Sequence, residues 1–224
     1  AETLARWKHP ILGFVSPERF IRIAEESRQI LKLGAWIMHQ AFVQAKSWTV
    51  SRPNFNLAIN ISPIQFHDAD FIETVIYIMI ETKVNPQNIT LELTEGILIS
   101  DTESAVEKIA RLAELGFKIS IDDFGTGYSS LSYFQRLPIH ELKIDKSFIA
   151  RVPNSKEDVA IIESIVHLAK TKELLIVAEG IETQDQLEFI QQQATNIIIQ
   201  GYFFSKPCPA REFEACFLQN KSNI

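Results

Sequence analysis

The sequence predicts an α/β fold on a parallel sheet, and three observations carry that expectation. Short β-branched runs alternate with longer segments at helical spacing, a pattern that puts helices outside parallel strands. No Ser/Gly-rich linker, low-complexity tract or long charge run divides the 224 residues. Polar residues stand where the apolar runs end. Two architectures fit: an open doubly wound sheet, or an eight-stranded TIM-like (β/α)8 barrel short of one strand. A doubly wound dinucleotide fold needs a Gly-rich turn after its first strand. None is present, and the chain has only 8 glycines.

The elements follow in order. Glu2–Trp7 is strand-like and would be the first strand. Ser16 and Pro17 open a helix carrying Phe20, Ile21, Ile23 and Ala24. Trp36, Met38 and Phe42 share a helical pattern that reads as core. Six runs are clear strands: 56–61, 88–93, 117–121, 141–144, 174–178 and 197–203. Asp101 starts a helix with Val106, Ile109, Leu112 and Leu115 on one stripe, and Gly116 stops it. Ser155 to Lys172 forms another, with Val159, Ile162, Ile165, Val166 and Ala169 inward, and Thr183 caps the next.

Composition narrows the function. Apolar residues make up 46% and charged residues 22%, which fits a soluble globular domain. A net charge of −6 disfavours a nucleic-acid polymer as partner, because that surface needs clustered Lys and Arg. The 2 cysteines match no disulfide framework or zinc spacing, and the 5 histidines show no ligand spacing. A cytoplasmic setting fits. No apolar run is long enough to span a membrane. The chain opens on strand-like residues without an initiator Met, which predicts a piece of a longer protein.

The strand ends carry the chemistry. Asn60, Glu92, Asp122 with Asp123, Lys143 with Asp145, Glu179 and Gln200 all stand late in a strand or just after one. Active sites of parallel barrels sit at that end. Alternation puts Leu57, Ile59 and Ile61 on one face and Asn60 on the other; Lys143 opposes Leu142 and Ile144, and Gln200 opposes Ile199. Each polar residue therefore points into the barrel mouth. A single Asp or Glu there is usually a helix cap or surface pair; Lys143 could merely pair with Asp145, and Gln200 could be a satisfied amide. Six polar ends facing inward are a different matter. Converging carboxylates need protons or cations. Oxygen donors without His or Cys suit hard ions such as Mg²⁺ or Mn²⁺. Periodicity carries the reading to a metal-dependent barrel enzyme and no further.

The motifs themselves resemble the EAL domain, the bacterial phosphodiesterase family that hydrolyses cyclic di-GMP. The signature is Glu2-Thr3-Leu4, with Thr for the usual Ala, then Ala5-Arg6-Trp7-Lys8-His9-Pro10 and Ser16-Pro17-Glu18-Arg19-Phe20-Ile21. Asn60-Ile61-Ser62 and Glu92-Leu93-Thr94-Glu95 come next, followed by the loop Asp122-Asp123-Phe124-Gly125-Thr126-Gly127-Tyr128-Ser129-Ser130-Leu131. Lys143-Ile144-Asp145, Ala178-Glu179-Gly180-Ile181-Glu182-Thr183 and Gln200-Gly201-Tyr202 complete the set. The resemblance spans essentially the whole chain.

It implies a barrel of EAL type occupying residues 1–224, with two Mg²⁺ or Mn²⁺ ions. Glu2, Asn60, Glu92 and Asp122 resemble the ligands of one ion. Asp122, Asp123 and Glu179 resemble those of the other, with Gln200 holding metal-bound water. Lys143 resembles the residue that holds the attacking water or phosphate, Glu179 a general base, and Glu95 the residue that steadies the Asp122–Ser130 loop. Arg6, Leu4, Asp145 and Glu182 resemble substrate-binding residues. The resemblance further implies a homodimer through that loop region and an upstream sensory or GGDEF domain. Relatives begin with a strand bearing a Gln-Pro motif, antiparallel to the rest, which precedes the first residue here. The function implied is hydrolysis of cyclic di-GMP to linear pGpG. The alternative is a cyclic di-GMP receptor without turnover. A third reading is a barrel enzyme for another phosphoester.

Overall fold

The computed structural model describes residues 1–97, 102–126, 134, 136–194 and 196–218. Seven parallel strands form one sheet in the order β1(Glu2–Thr3), β4(Leu57–Ile61), β5(Ile89–Thr94), β6(Lys118–Phe124), β7(Glu141–Ile144), β8(Leu175–Ala178) and β9(Ile197–Ile199). A separate antiparallel ribbon, β2(Trp7–His9) with β3(Gly13–Val15), comes after β1. The helices are α1(Pro17–Glu26), α2(Ile30–Thr49), α3(Pro63–His67), α4(Phe71–Thr82), α5(Thr102–Glu114), α6(Lys146–Ile149), α7(Lys156–Thr171), α8(Gln184–Gln193) and α9(Ala210–Phe213).

The sheet curls. Its two edge strands, β1 and β9, are not paired with each other, yet the Gln200 amide donates to Glu2 Oε2 at 2.6 Å across 198 residues. The result is a half-barrel with a mouth at the carboxyl ends of the strands.

Alternation sorts the two faces. Leu57, Ile59, Ile61, Leu91, Leu93, Ile119, Ile121, Leu142, Ile144, Ile176 and Ala178 are buried in one core with Met38, Phe42, Val75, Ile78, Ile109, Leu112, Ile162 and Ile165 from the helices. Each such side chain contributes about 1.5–3 kcal/mol relative to exposure. The opposite face carries Thr90, Glu92, Ser120, Asp122 and Lys143, all buried polar groups. That division is what gives the half-barrel a polar inside.

Local chemistry explains the helix ends. Ser155 Oγ accepts from the Asp158 amide at the start of α7, and Thr183 forms a capping box with Gln186 at the start of α8. Ser16 and Pro17 do begin α1, but Ser16 makes no side-chain cap there. Asp101 lies outside the described residues.

Four expectations need correction. The first strand ends at Thr3, and Trp7, expected within it, belongs instead to the β2–β3 ribbon, whose turn is held by the Ile11 and Leu12 amides donating to His9 Nδ1. The last strand ends at Ile199, where Gly201 begins a turn that continues through Phe204. Trp36 is 61% exposed, on the outer side of α2, while Met38 and Phe42 are buried. The strand predicted over 117–121 runs on to Phe124, so both aspartates lie inside β6.

Candidate active site

Lys143 is the centre of the mouth. It comes from β7, is 1% exposed, and its Nζ lies 2.9 Å from Glu92 Oε1, 3.2 Å from Asp122 Oδ2 and 2.6 Å from Glu179 Oε1. Glu92 comes from β5, Asp122 from β6, and Glu179 comes just after β8, so four neighbouring strands aim at one point. Its ion pairs are therefore with these three carboxylates, and the simple pair with Asp145 is not what the sequence produces.

One ammonium cannot neutralise three carboxylates, two of them buried and the third half-buried. Burial pushes Glu92 up to about 8, against the pull of Lys143 and with Glu2 and Asp122 adding to it. Burial likewise raises Glu179 to about 7, with Lys143 opposing and Asp122 adding. For Lys143, burial alone would favour the neutral amine, but Glu92, Glu2, Asp122 and Glu179 outweigh it and hold the charge well above the ordinary lysine range.

A bulge places the aspartates. Ile121 pairs with Leu142 and Phe124 with Ile144, so β6 spends one residue more than β7 over this stretch. Strict alternation would turn Asp122 and Asp123 to opposite faces. The extra residue, with Asp123 at φ 55°, keeps Asp123 beside the mouth, where burial, Asp122 and Asp145 raise its carboxyl. Asp122 Oδ1 accepts the Asp123 amide at 2.9 Å. Glu95, 3% exposed, holds the turn beyond the aspartates: its Oε2 accepts the Gly125 amide at 2.9 Å, and its own amide donates to the Asp122 carbonyl at 3.1 Å. Positions 127–130 of the predicted loop lie outside the described residues.

Glu2 stands on the other flank. Asn60 Nδ2 donates to its Oε1 at 2.7 Å and Gln200 to its Oε2. Asp145 accepts the Ser147 amide at 3.0 Å and so caps α6. Leu4, Arg6 and Glu182 are exposed at the rim; Leu4 is 40% exposed, and Arg6 donates to the Ala5 carbonyl. Glu2, Asn60, Glu92, Asp122, Asp123, Lys143, Glu179 and Gln200 are thus brought together, with Glu95 behind them. Sequence reasoning did not identify the bulge, nor the direct contact between Gln200 and Glu2. Adjacent carboxylates at a strand end were a signal for the first; nothing local signalled the second.

The donors suit a hard divalent cation. Glu92 Oε2 is buried without a hydrogen-bond partner, and the set holds oxygen but no sulfur or imidazole. Among the described residues no three His, Cys, Asp or Glu side chains are drawn together as a ready cage; the Lys143 ammonium lies between Glu92, Asp122 and Glu179.

A parallel α/β half-barrel whose mouth gathers such oxygens defines a class: TIM-barrel-like domains with an acid-lined site at the strand ends. The family model for the EAL domain matches residues 1–207, and the chain belongs to that family. It is 40% identical over 223 residues to the uncharacterized protein y4lL of Sinorhizobium fredii, covering 100% of this chain and 26% of that protein. It is 38% identical over 215 residues to the bifunctional diguanylate cyclase/cyclic di-GMP phosphodiesterase MucR of Pseudomonas aeruginosa, covering 96% of this chain and 31% of MucR. The solved structure of the PaMucR phosphodiesterase in complex with c-di-GMP superposes with a TM-score of 0.91 at 38% identity, over 95% of this chain and 86% of that one. The chain thus spans about a quarter to a third of the length of these curated relatives. No helix among the described residues is long and apolar enough to cross a membrane.

Proposed function

We propose that this chain is the cyclic di-GMP-hydrolysing unit of a longer signalling protein, opening one phosphodiester to give linear pGpG. The observation that carries the proposal is the buried Lys143 ammonium ringed by Glu92, Asp122 and Glu179 at the open mouth. Relatives named as cyclic di-GMP phosphodiesterases, and a neighbouring structure with c-di-GMP bound, support the substrate.

Each residue has a task. Glu2, Asn60, Glu92 and Asp122 would hold one Mg²⁺ or Mn²⁺, and Asp122, Asp123 and Glu179 a second, with Gln200 beside them through water. When bound, such ions lower the pKa of water and offset phosphate charge. Glu179, whose Oε1 lies 2.6 Å from the Lys143 ammonium, would take the proton from an attacking water and return it to the leaving 3′ oxygen. Lys143 keeps its positive charge throughout and holds a phosphate oxygen or the water in place. Glu95 acts through the Gly125 amide, fixing the turn that presents Asp122 and Asp123. Arg6 would bind a phosphate of the substrate, and Leu4, Asp145 and Glu182 would line the substrate pocket.

The test is turnover. The full-length protein, incubated with cyclic di-GMP and Mg²⁺ or Mn²⁺, should yield pGpG by chromatography. Tight binding with unchanged nucleotide would overturn the enzyme and leave a receptor. The same proposal includes a homodimer through the Asp122–Ser130 loop region, an upstream sensory or GGDEF domain, and a cytoplasmic site of action. Light scattering of the full-length protein checks the first.

A further inference from the structure

Glu2 stands on an edge strand of the sheet. It lies on β1, a strand of two residues paired only with β4. What orients its carboxylate is Asn60 at 2.7 Å and Gln200 at 2.6 Å. Asn60 is on the neighbouring strand, so its reach is set by sheet register. Gln200 comes from the far edge, and something must set how far it leans across.

The backbone after β8 and β9 supplies that something. The Gln200 amide donates to the Ala178 carbonyl, the Ile181 amide to the Gln200 carbonyl at 3.1 Å, and the Phe203 amide to the Ile181 carbonyl at 3.0 Å. Gly201 lies directly against Ile181 in this seam. A Cβ on Gly201 would stand 2.0 Å from the Ile181 carbonyl oxygen, 2.4 Å from its nitrogen and 2.7 Å from its carbonyl carbon. Ile181 cannot yield: it is fully buried, and its amide and carbonyl are both committed to the seam. The seam continues to the β7 side, where Gly180, at φ +73°, would bring a Cβ within 2.5 Å of Lys146 Cβ. Gln200 and Glu179 each stand immediately before one of these glycines.

We propose that Gly201 is a positioning residue: its bare Cα lets the chain after β9 lie against Ile181, so that Gln200 spans the open side of the half-barrel and fixes the Glu2 carboxylate. A side chain at 201 must push this backbone away by about 1.4 Å, because an ordinary contact begins at 3.4 Å and the Cβ would stand at 2.0 Å. That retreat takes the Gln200–Glu2 bond from 2.6 Å beyond the range of a strong hydrogen bond. Gly201 touches neither substrate nor ion; it acts only through Gln200.

A double-mutant cycle tests this, read both as Mn²⁺ affinity by calorimetry and as kcat; the kcat arm rests on the phosphodiesterase reading. Gly201→Ala and Gln200→Ala should each weaken Mn²⁺ binding and lower kcat by about 10- to 100-fold. The pair together should be no worse than the worse single change, because both remove the same contact. Additive losses, or a folded Gly201→Ala protein with wild-type Mn²⁺ affinity, would overturn the proposal. If Gly201→Ala does not fold, the cycle of Gln200→Ala with Glu2→Gln takes its place. Action through Glu2 requires non-additivity there too, and additive losses again refute it. A wild-type protein that binds Mn²⁺ but leaves cyclic di-GMP intact defeats the phosphodiesterase reading alone, since the affinity cycle still decides the role of Gly201.

Discussion

Replacing Lys143 with Met removes the ammonium that pairs with three of the mouth's carboxylates and keeps most of the side-chain volume. The ammonium is 1% exposed and lies within 3.2 Å of three acids. Breaking a buried pair by deleting one partner costs about 3–5 kcal/mol when the other stays charged. Here the penalty depends on pH. Glu92 at about 8 and Glu179 at about 7 both lie above their unfolded value of 4.5, so their protonated forms favour the fold. Their contribution is fully present below that value and is lost as pH rises through about 7 to 8. Without Lys143 both carboxyls rise further, so the loss continues to higher pH, beyond the point where the wild-type curve levels off. The metal-free variant should therefore lose about 1–2 kcal/mol at pH 5.5 and about 3–5 kcal/mol at pH 8.5. At about 2–4 °C per kcal/mol for a chain of this size, the Tm deficit is a few degrees at the lower pH and roughly 10 °C or more at the higher. Scanning calorimetry in chelator measures both, and saturating Mg²⁺ should narrow the gap at pH 8.5. Turnover should fall by about 100- to 1,000-fold. An equal Tm shift at both pH values, or none at pH 8.5, would refute the electrostatic account.

Glu92→Gln should bind Mn²⁺ at least ~10-fold more weakly by titration calorimetry while its metal-free Tm at pH 7 changes little, since burial already keeps the wild-type carboxyl protonated there. For the same reason Mn²⁺ binding to wild type at pH 7 should release about one to two protons, from Glu92 at about 8 and Glu179 at about 7, read from calorimetry in buffers of different ionisation enthalpy; no release would contradict the raised values. Glu95→Ala leaves the Gly125 amide without its acceptor and should cost about 1–3 kcal/mol in denaturant unfolding, with turnover down about 10- to 100-fold, whereas Glu95→Gln keeps a carbonyl acceptor and recovers most of the stability. His140 Nδ1 accepts the Ile119 amide at 3.2 Å, and burial with Lys118 lowers its pKa. NMR should find it titrating below 6.5. Its stabilisation is present above 6.5 and lost as pH falls through the folded value, so His140→Ala should flatten that part of the stability profile.

Legibility in the sequence tracked the range of the physics involved. The helix start at Ser155 and the cap at Thr183 each depend on four consecutive residues, and both formed where spacing put them. The alternation of Leu142 and Ile144 against Lys143 needs only the pleat of one strand, so the inward lysine was readable. The end of the first strand was not, because Trp7 finds its partner Val15 in a separate ribbon, a pairing that period-2 counting does not register. Trp36 matched a helical pattern, but which side of α2 meets the sheet is decided by the partners Met38 and Phe42 find.

By itself the sequence determined the parallel α/β class, the apolar face of each strand and the identity of the inward polar residues, since these arise from periodicity and residue chemistry along a single segment. Tertiary structure alone decided how those residues meet. The bulge in β6 turns Asp123 toward the mouth, and burial raises Glu92 and Glu179 where exposed glutamates would stay acidic. The curl of the sheet carries Gln200 back to Glu2. Each of these depends on distances between residues far apart in the chain, which no local pattern of side chains encodes.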